Sequence, residues 1–176
     1  MSDPTKTGPS IRRVPDGDTR ERLVCPDCGF IVYENPKPVV GAVCSWRNQI
    51  LLCRRAIAPR IGYWTIPAGF MEMGESTADG ATREVFEESK ARIRIDSLLG
   101  LFEIPWIGQV CVFYGASMLS PDCGPTFESS EARLFAWGEI PWNDLAFPSV
   151  NWALRRYAEG GEPAIHVATP LVEPAR

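Results

Sequence analysis

The stretch GFMEMGESTADGATREVFEESKA, residues 69–91, decides how the chain is read, because a glycine-opened loop runs straight into a helix carrying clustered carboxylates. Ser76 with Asp79 three positions on makes a capping-box-like start. Ala78, Ala81 and Val85 then follow at helical spacing, so a helix is predicted from near Ser76 and Thr77. At about 100° per residue, Glu84, Glu87 and Glu88 stand at i, i+3 and i+4 and share one side of that helix. Like charges so placed cost an isolated helix roughly a few tenths of a kcal/mol per pair. A Glu-rich face is ordinarily just solvated, but here a glycine loop and an internal arginine, Arg83, accompany it. A divalent cation between the carboxylates would remove the repulsion. Mg²⁺ takes oxygen ligands, keeps several waters and is typically held by one or two carboxylates plus substrate phosphates, which suits an open carboxylate patch.

The spacing of Gly69, Glu75 and Arg83-Glu84-Val85-Phe86-Glu87-Glu88 resembles the Nudix box, the signature of hydrolases acting on nucleoside diphosphates linked to another group. The resemblance implies that Glu84, Glu87 and Glu88 bind Mg²⁺ or Mn²⁺, that the backbone carbonyl of Ala68 adds a ligand, and that Glu75 orients Arg83. The nucleophile it implies is a metal-activated water. For the base that takes the water's proton it leaves Glu87 or Glu84 in the box, and Glu128 or Glu131 in a loop outside it. The chain departs from the family pattern after the glutamate pair, where Lys90 and Ala91 follow Ser89 in place of a glycine and an apolar residue. A left-handed Lys90 closing the helix would cost about 1 kcal/mol. Gly80 inside the helix costs up to about 1 kcal/mol against Ala, unless close packing on a sheet requires it.

With 176 residues, 45% hydrophobic and 23% charged, the chain has apolar material for one buried core. Its formal net charge of −4 supplies no basic field, so neither nucleic acid nor an anionic membrane is expected as a partner. No apolar run approaches the roughly 18 residues that span a bilayer, and the first thirty residues lack a signal-like apolar segment, so a cytoplasmic location is expected.

Apolar or alternating strands are predicted at 39–45, 49–54, 63–66, 91–103, 109–118 and 132–137, and a second helix at 150–158. Strands surrounding two helices indicate an α+β protein, which the Nudix resemblance makes an α/β/α sandwich with a mixed sheet, preceded by a small β-hairpin ribbon remnant. The predicted organisation is a flexible N-terminus (1–13), a ribbon-like hairpin (14–36), a Nudix domain (37–160) and a Pro-rich tail (161–176).

Cys25-Pro-Asp-Cys28-Gly29 resembles one knuckle of a zinc ribbon, yet no second Cys-x-x-Cys precedes it and a structural zinc takes four ligands. A metal-free hairpin is therefore preferred to a zinc on Cys25 and Cys28 shared between two subunits. Cys44, Cys53 and Cys111 fall in strand patterns, where a thiol acts as a small buried hydrophobe, while Cys123 falls in a loop. The single histidine, His166, lies in the Pro-rich tail and gives a nucleophilic triad little support.

Beyond the box, LFEIPWIGQ at 101–109 and EARLFAWGEIP at 131–141 are similar to the ribbon-bearing Nudix group that cleaves ADP-ribose or FAD to AMP plus the other phosphate-bearing half. Arg54, Arg55 and Arg60 are candidate phosphate contacts, and Trp64, Phe102 and Trp106 candidate platforms for adenine or flavin. The resemblance also implies a homodimer. An NADH or NAD-cap pyrophosphatase is the alternative enzyme, opposed by the incomplete ribbon and by the sequence at 103–109. A non-catalytic nucleotide sensor is the alternative outside catalysis, opposed by the intact Arg83, Glu84, Glu87 and Glu88.

Overall fold

The computed structural model describes residues 8–170, and the chain divides into two compact units, 1–35 and 36–176. The first unit is a three-stranded antiparallel sheet of β1 (Ile11–Arg13), β2 (Arg22–Val24) and β3 (Ile31–Val32), in that order. It exceeds the predicted hairpin because Ile11–Arg13, placed by the sequence in a flexible segment, pairs with β2 in the register Ile11↔Val24. Residues 1–7 of that predicted flexible segment lie outside the described residues. The β1–β2 connection is tied by Asp18, whose carboxylate accepts the N–H groups of Thr19 (2.6 Å) and Arg20 (3.2 Å) and pairs with Arg22 Nε at 2.9 Å. Arg22 in turn lies over the Tyr33 ring, 5.1 Å from its centroid.

The second unit contains β4 (Lys37–Trp46), β5 (Gln49–Arg55), β6 (Trp64–Thr65), β7 (Ala68–Phe70), α1 (Thr77–Ser89), β8 (Ile93–Ile104), β9 (Gln109–Met118), β10 (Ser129–Ala136), α2 (Pro148–Glu159) and β11 (Ala164–Val167). Its sheet runs β10-β5-β4-β9-β8-β11, with β6 added to β5 and β7 to β4. β4 and β9 are parallel, as are β8 and β11, and the other pairs are antiparallel, so the sheet is mixed.

Strand periodicity makes this a sandwich. Along β4 and β5, Val43, Ile50 and Leu52 join one core with α2 residues Val150, Ala153 and Leu154, whereas Ala42, Cys44 and Leu51 join another with α1 residue Val85. Successive strand side chains alternate faces, so each helix covers its own face of the sheet. Full burial of each Val, Leu or Ile contributes about 1.5–3 kcal/mol, which fixes the register of both central strands.

The tail departs from expectation. β11, inside the predicted Pro-rich tail, pairs in parallel with β8 from Ala164↔Gly100 to Val167↔Glu103. A Cβ at Gly100 (φ +144°) would stand 1.9 Å from the Ala164 carbonyl oxygen, so only glycine lets the strand dock. Arg156 from α2 holds the connection, donating to the carbonyls of Gly160 and Glu162.

Candidate active site on the carboxylate helix

The loop between β7 and α1 is built around two side chains, Ser76 and Glu75. Ser76 is the N-cap of α1: its hydroxyl accepts the Asp79 N–H at 3.1 Å and donates to the Asp79 carboxylate at 2.6 Å. Glu75 accepts the Glu72 N–H at 2.7 Å, closing the turn. Two glycines permit the contact between loop and helix. A Cβ at Gly69 would lie 2.3 Å from Glu84 Oε2, and one at Gly80 would lie 2.6 Å from Glu75 Oε1 and 2.9 Å from Val40 Cγ2. The helix-interior glycine at 80 is thus a packing requirement that outweighs its propensity cost of about 1 kcal/mol. At the other end, Lys90 does close the helix in the left-handed region (φ +61°), its N–H donating to the Phe86 carbonyl.

Arg83 is the hub. It forks onto Glu75 through Nε (3.0 Å) and Nη2 (2.8 Å), donates from Nη1 to Glu84 (2.7 Å) and Glu87 (3.0 Å), and from Nη2 to the Phe70 carbonyl (3.1 Å). That pairing with Arg83, aided by the Glu72 N–H, holds the Glu75 carboxyl down at about 2. Glu88 turns away from the hub and accepts the Ala68 N–H at 3.2 Å. Burial pushes the Glu88 carboxyl up to about 8, with Glu84 and Glu128 adding repulsion and the Ala68 N–H and Arg55 opposing it. Burial also raises Glu84, against the pull of Arg83. Buried carboxylates that disfavour their own charge are suited to a cation that restores it.

The donor set fits a hard divalent ion. Glu84, Glu87, Glu88 and the Ala68 carbonyl offer only oxygen, and among the described residues no three His, Cys, Asp or Glu side chains are gathered closely enough to hold a metal ion by themselves, so waters and substrate phosphates would complete the shell.

The NUDIX domain family pattern matches residues 35–155, and the Nudix N-terminal ribbon pattern matches residues 7–34. The chain belongs to the Nudix family. The crystal structure of a NUDIX hydrolase from Nitrosomonas europaea is 48% identical, with a TM-score of 0.83 over 89% of this chain and 91% of that one. An ADP-ribose pyrophosphatase from Methanocaldococcus jannaschii is 34% identical over 76 residues, 43% of this chain and 45% of that protein. An NAD-capped RNA hydrolase, NudC, from Edwardsiella ictaluri is 29% identical over 139 residues, 77% of this chain and 51% of that protein. The chain therefore spans about half the length of these two curated relatives.

Around the Nudix box, the loop before β10 is joined to the helix end: Thr126 Oγ1 donates to the Glu88 carbonyl at 3.4 Å, and the Ala56 N–H donates to the Glu128 carbonyl at 2.8 Å. Glu128 is exposed there, and its charge raises both Glu84 and Glu88. Glu131 pairs instead with Arg54 across β10 and β5 at 2.9 Å. No sequence motif marks Thr126, whose role emerges only from the fold.

The proposed substrate contacts separate into groups. Arg55 is aimed by the carbonyls of Pro59 (2.8 Å), Ile57 (3.4 Å) and Ala58 (3.4 Å), and its charge acts on Glu88. Arg54 donates to the Gly62 carbonyl at 2.9 Å besides its pair with Glu131, and Arg60 lies over the Tyr63 ring. Trp106 is half exposed in a short 3₁₀ turn, Pro105–Ile107. Trp64 and Phe102 are core residues, contrary to the sequence reading. Trp64 packs edge-on against Phe135 at 4.9 Å, and Phe102 forms a three-ring cluster with Trp152 (5.4 Å) and His166 (4.8 Å), which also meet each other at 5.8 Å. Their strand positions place both rings on the inward-facing side, where hydrophobic burial outcompetes ligand stacking. An aromatic that sequence reasoning passed over, Phe70 in the box strand, is 53% exposed beside Lys37.

The ribbon region does not fit zinc. Residues 1–35 contain two cysteines, Cys25 and Cys28, and no histidine, half of a tetrahedral shell. Both thiols are free, Cys25 buried and Cys28 exposed, and N–H groups of Cys28 and Asp27 reach the Cys25 sulfur and hold its thiol below the ordinary range. Cys44, Cys53 and Cys111 are buried with their thiols pushed up, Cys111 to about 11.

Proposed function

We propose that this Nudix protein hydrolyses the diphosphate bond of nucleoside-diphosphate-linked compounds, with ADP-ribose and FAD as lead substrates giving AMP plus ribose 5-phosphate or FMN. The observation that carries this reading is the bonding of the Nudix-box residues: Glu75 grips Arg83, Arg83 donates to Glu84 and Glu87, and Glu88 accepts the Ala68 N–H on the neighbouring strand β7. A bound Mg²⁺ or Mn²⁺ supplies charge neutralisation on the phosphates and acidification of a coordinated water.

The chain's own groups do the rest. Glu84, Glu87, Glu88 and the Ala68 carbonyl would hold the ion. Arg83 keeps Glu84 and Glu87 in place, and Glu75 fixes Arg83 by its two-pronged grip. Glu128 is the best-placed proton acceptor outside the box, because its charge acts on Glu84 and Glu88 while Glu131 is engaged with Arg54. Arg55, held by three carbonyls on the strand end beside Glu88, would position a phosphate. Water adds to one phosphorus as the bridging oxygen departs with the other phosphate, and no covalent protein intermediate is needed. A homodimer and a cytoplasmic location accompany this reading, and among the described residues no helix is long and apolar enough to cross a membrane.

Similarity to NudC supports a second reading, hydrolysis of NADH or NAD-capped RNA. Incubation with Mg²⁺ and FAD, ADP-ribose, NADH or a nucleoside triphosphate, with products resolved by phosphate content, separates the two. AMP with ribose 5-phosphate or FMN, lost in Glu87→Gln, supports the lead reading. Preferred cleavage of NADH transfers the assignment to the NudC-like activity, and binding without turnover of any compound makes the protein a sensor.

A further inference from the structure

We propose that Cys25 and Cys28 form a zinc-free vicinal dithiol that undergoes thiol–disulfide exchange with small disulfides of the glutathione type. The ribbon family implies a metal here, and the unit both lacks half of the ligands and does without the metal's mechanical role. Its long connection is closed by Asp18, which accepts two backbone N–H groups and pairs with Arg22 at 2.9 Å, while Arg22 packs on Tyr33. The short connection is closed by Gly29 N–H to the Cys25 carbonyl (2.9 Å) and Cys25 N–H to the Phe30 carbonyl (2.8 Å). Two turns that a structural zinc would normally cross-link are thus already fastened by hydrogen bonds and an ion pair.

What remains is a dithiol of defined geometry. The Gly29-to-Cys25 bond makes residues 25–28 one helical turn, which brings side chains at i and i+3 to within about 5–6 Å at Cβ, close enough for a modest shift to join them. The two sulfurs are not equivalent. Cys28 is exposed and meets an incoming disulfide, whereas Cys25 is buried at 5% and receives backbone N–H groups that favour its thiolate. Cys28 thiolate attacks one sulfur of the small disulfide, forming a mixed disulfide and releasing one thiolate. Cys25 thiolate then attacks Cys28 Sγ, closing the Cys25–Cys28 disulfide and releasing the second thiolate. The protein's thiols lose two electrons and two protons, and the small disulfide gains them as two thiols. The other cysteines do not compete: Cys44, Cys53 and Cys111 are buried with raised thiols, and Cys123 is half buried with its thiol also raised.

The test treats the reduced full-length protein with glutathione disulfide and reads intact mass, free thiols and zinc content. The wild type is expected to lose two thiols without retaining glutathione, and to carry less than one zinc per ten chains. Cys25→Ser is expected to trap a lasting glutathione adduct on Cys28, and Cys28→Ser to react at least tenfold more slowly than the wild type. One zinc per two chains, lost in Cys25→Ser, would overturn the proposal in favour of a metal shared between subunits. Equal reactivity of the wild type and a Cys25→Ser/Cys28→Ser double variant would overturn it as well.

Discussion

The carboxylate helix and the N-terminal ribbon both begin as short motifs, and they differ in how completely the fold supplies partners for them. Every charged group of the helix motif is engaged: Glu75 and Arg83 grip each other, Glu84 and Glu87 share Arg83, and Glu88 takes the Ala68 N–H. In the ribbon the cysteine pair has no second pair facing it, and Asp18 with Arg22 does the fastening. The box motif is thus supported at each of these members, whereas the cysteine knuckle holds only half of the ligands a structural zinc takes. Lys90 illustrates a tolerated departure, because the left-handed helix end forms at a local cost and leaves the glutamates undisturbed.

Removing divalent metal sharpens the comparison most. A strong chelator is expected to abolish hydrolysis at the box while leaving the thermal unfolding of the ribbon unchanged, and added Mg²⁺ or Mn²⁺ to restore the activity. Glu87→Gln and Glu88→Gln should each lower kcat at least about 10²-fold, since the charge stabilisation they would support amounts to several kcal/mol, with circular dichroism checking the fold. Disruption of the supporting pair comes next. Glu75→Gln should reduce activity by about 10- to 100-fold, the usual effect of removing a residue that orients a metal-site group.

The same substitution breaks the comparison along the pH axis. A carboxyl held at about 2 against an ordinary 4.5 contributes stability that is fully present above 4.5 and declines as pH falls toward 2. Acid unfolding curves should therefore show the wild type losing its advantage over Glu75→Gln in that window, with no difference developing between pH 5 and 7. Among aromatics, Phe102→Ala should cost about 3–5 kcal/mol in urea unfolding as a core truncation, whereas Trp106→Ala should spare stability and raise KM. The smallest effect is expected from Cys25→Ser, with ADP-ribose turnover unchanged within about twofold under reducing conditions, because the box does not depend on a ribbon metal.

Much of this was legible in the sequence where periodicity and capping carry the information. Ser76 marked the helix start, the alternating runs marked β4, β5, β8, β9 and β10, and Glu84, Glu87 and Glu88 marked one helix face. Tertiary pairing was not legible. β11 reads as tail because its Pro and Gly neighbours dominate locally, and only the open space at Gly100 admits it to the sheet. Likewise Trp64 and Phe102 have the chemistry of base platforms, and strand orientation turns both into the core. The Thr126–Glu128 loop reaches the helix end only because β10 lies beside β5, a neighbour relation no local pattern encodes.

The most direct test of the central claim measures ADP-ribose hydrolysis against Mg²⁺ concentration in the wild type, Glu87→Gln and Glu88→Gln. The account predicts AMP and ribose 5-phosphate from the wild type only when metal is present, with both variants reduced at least about 10²-fold at saturating metal. Metal-independent turnover, or turnover undiminished in both variants, would contradict it.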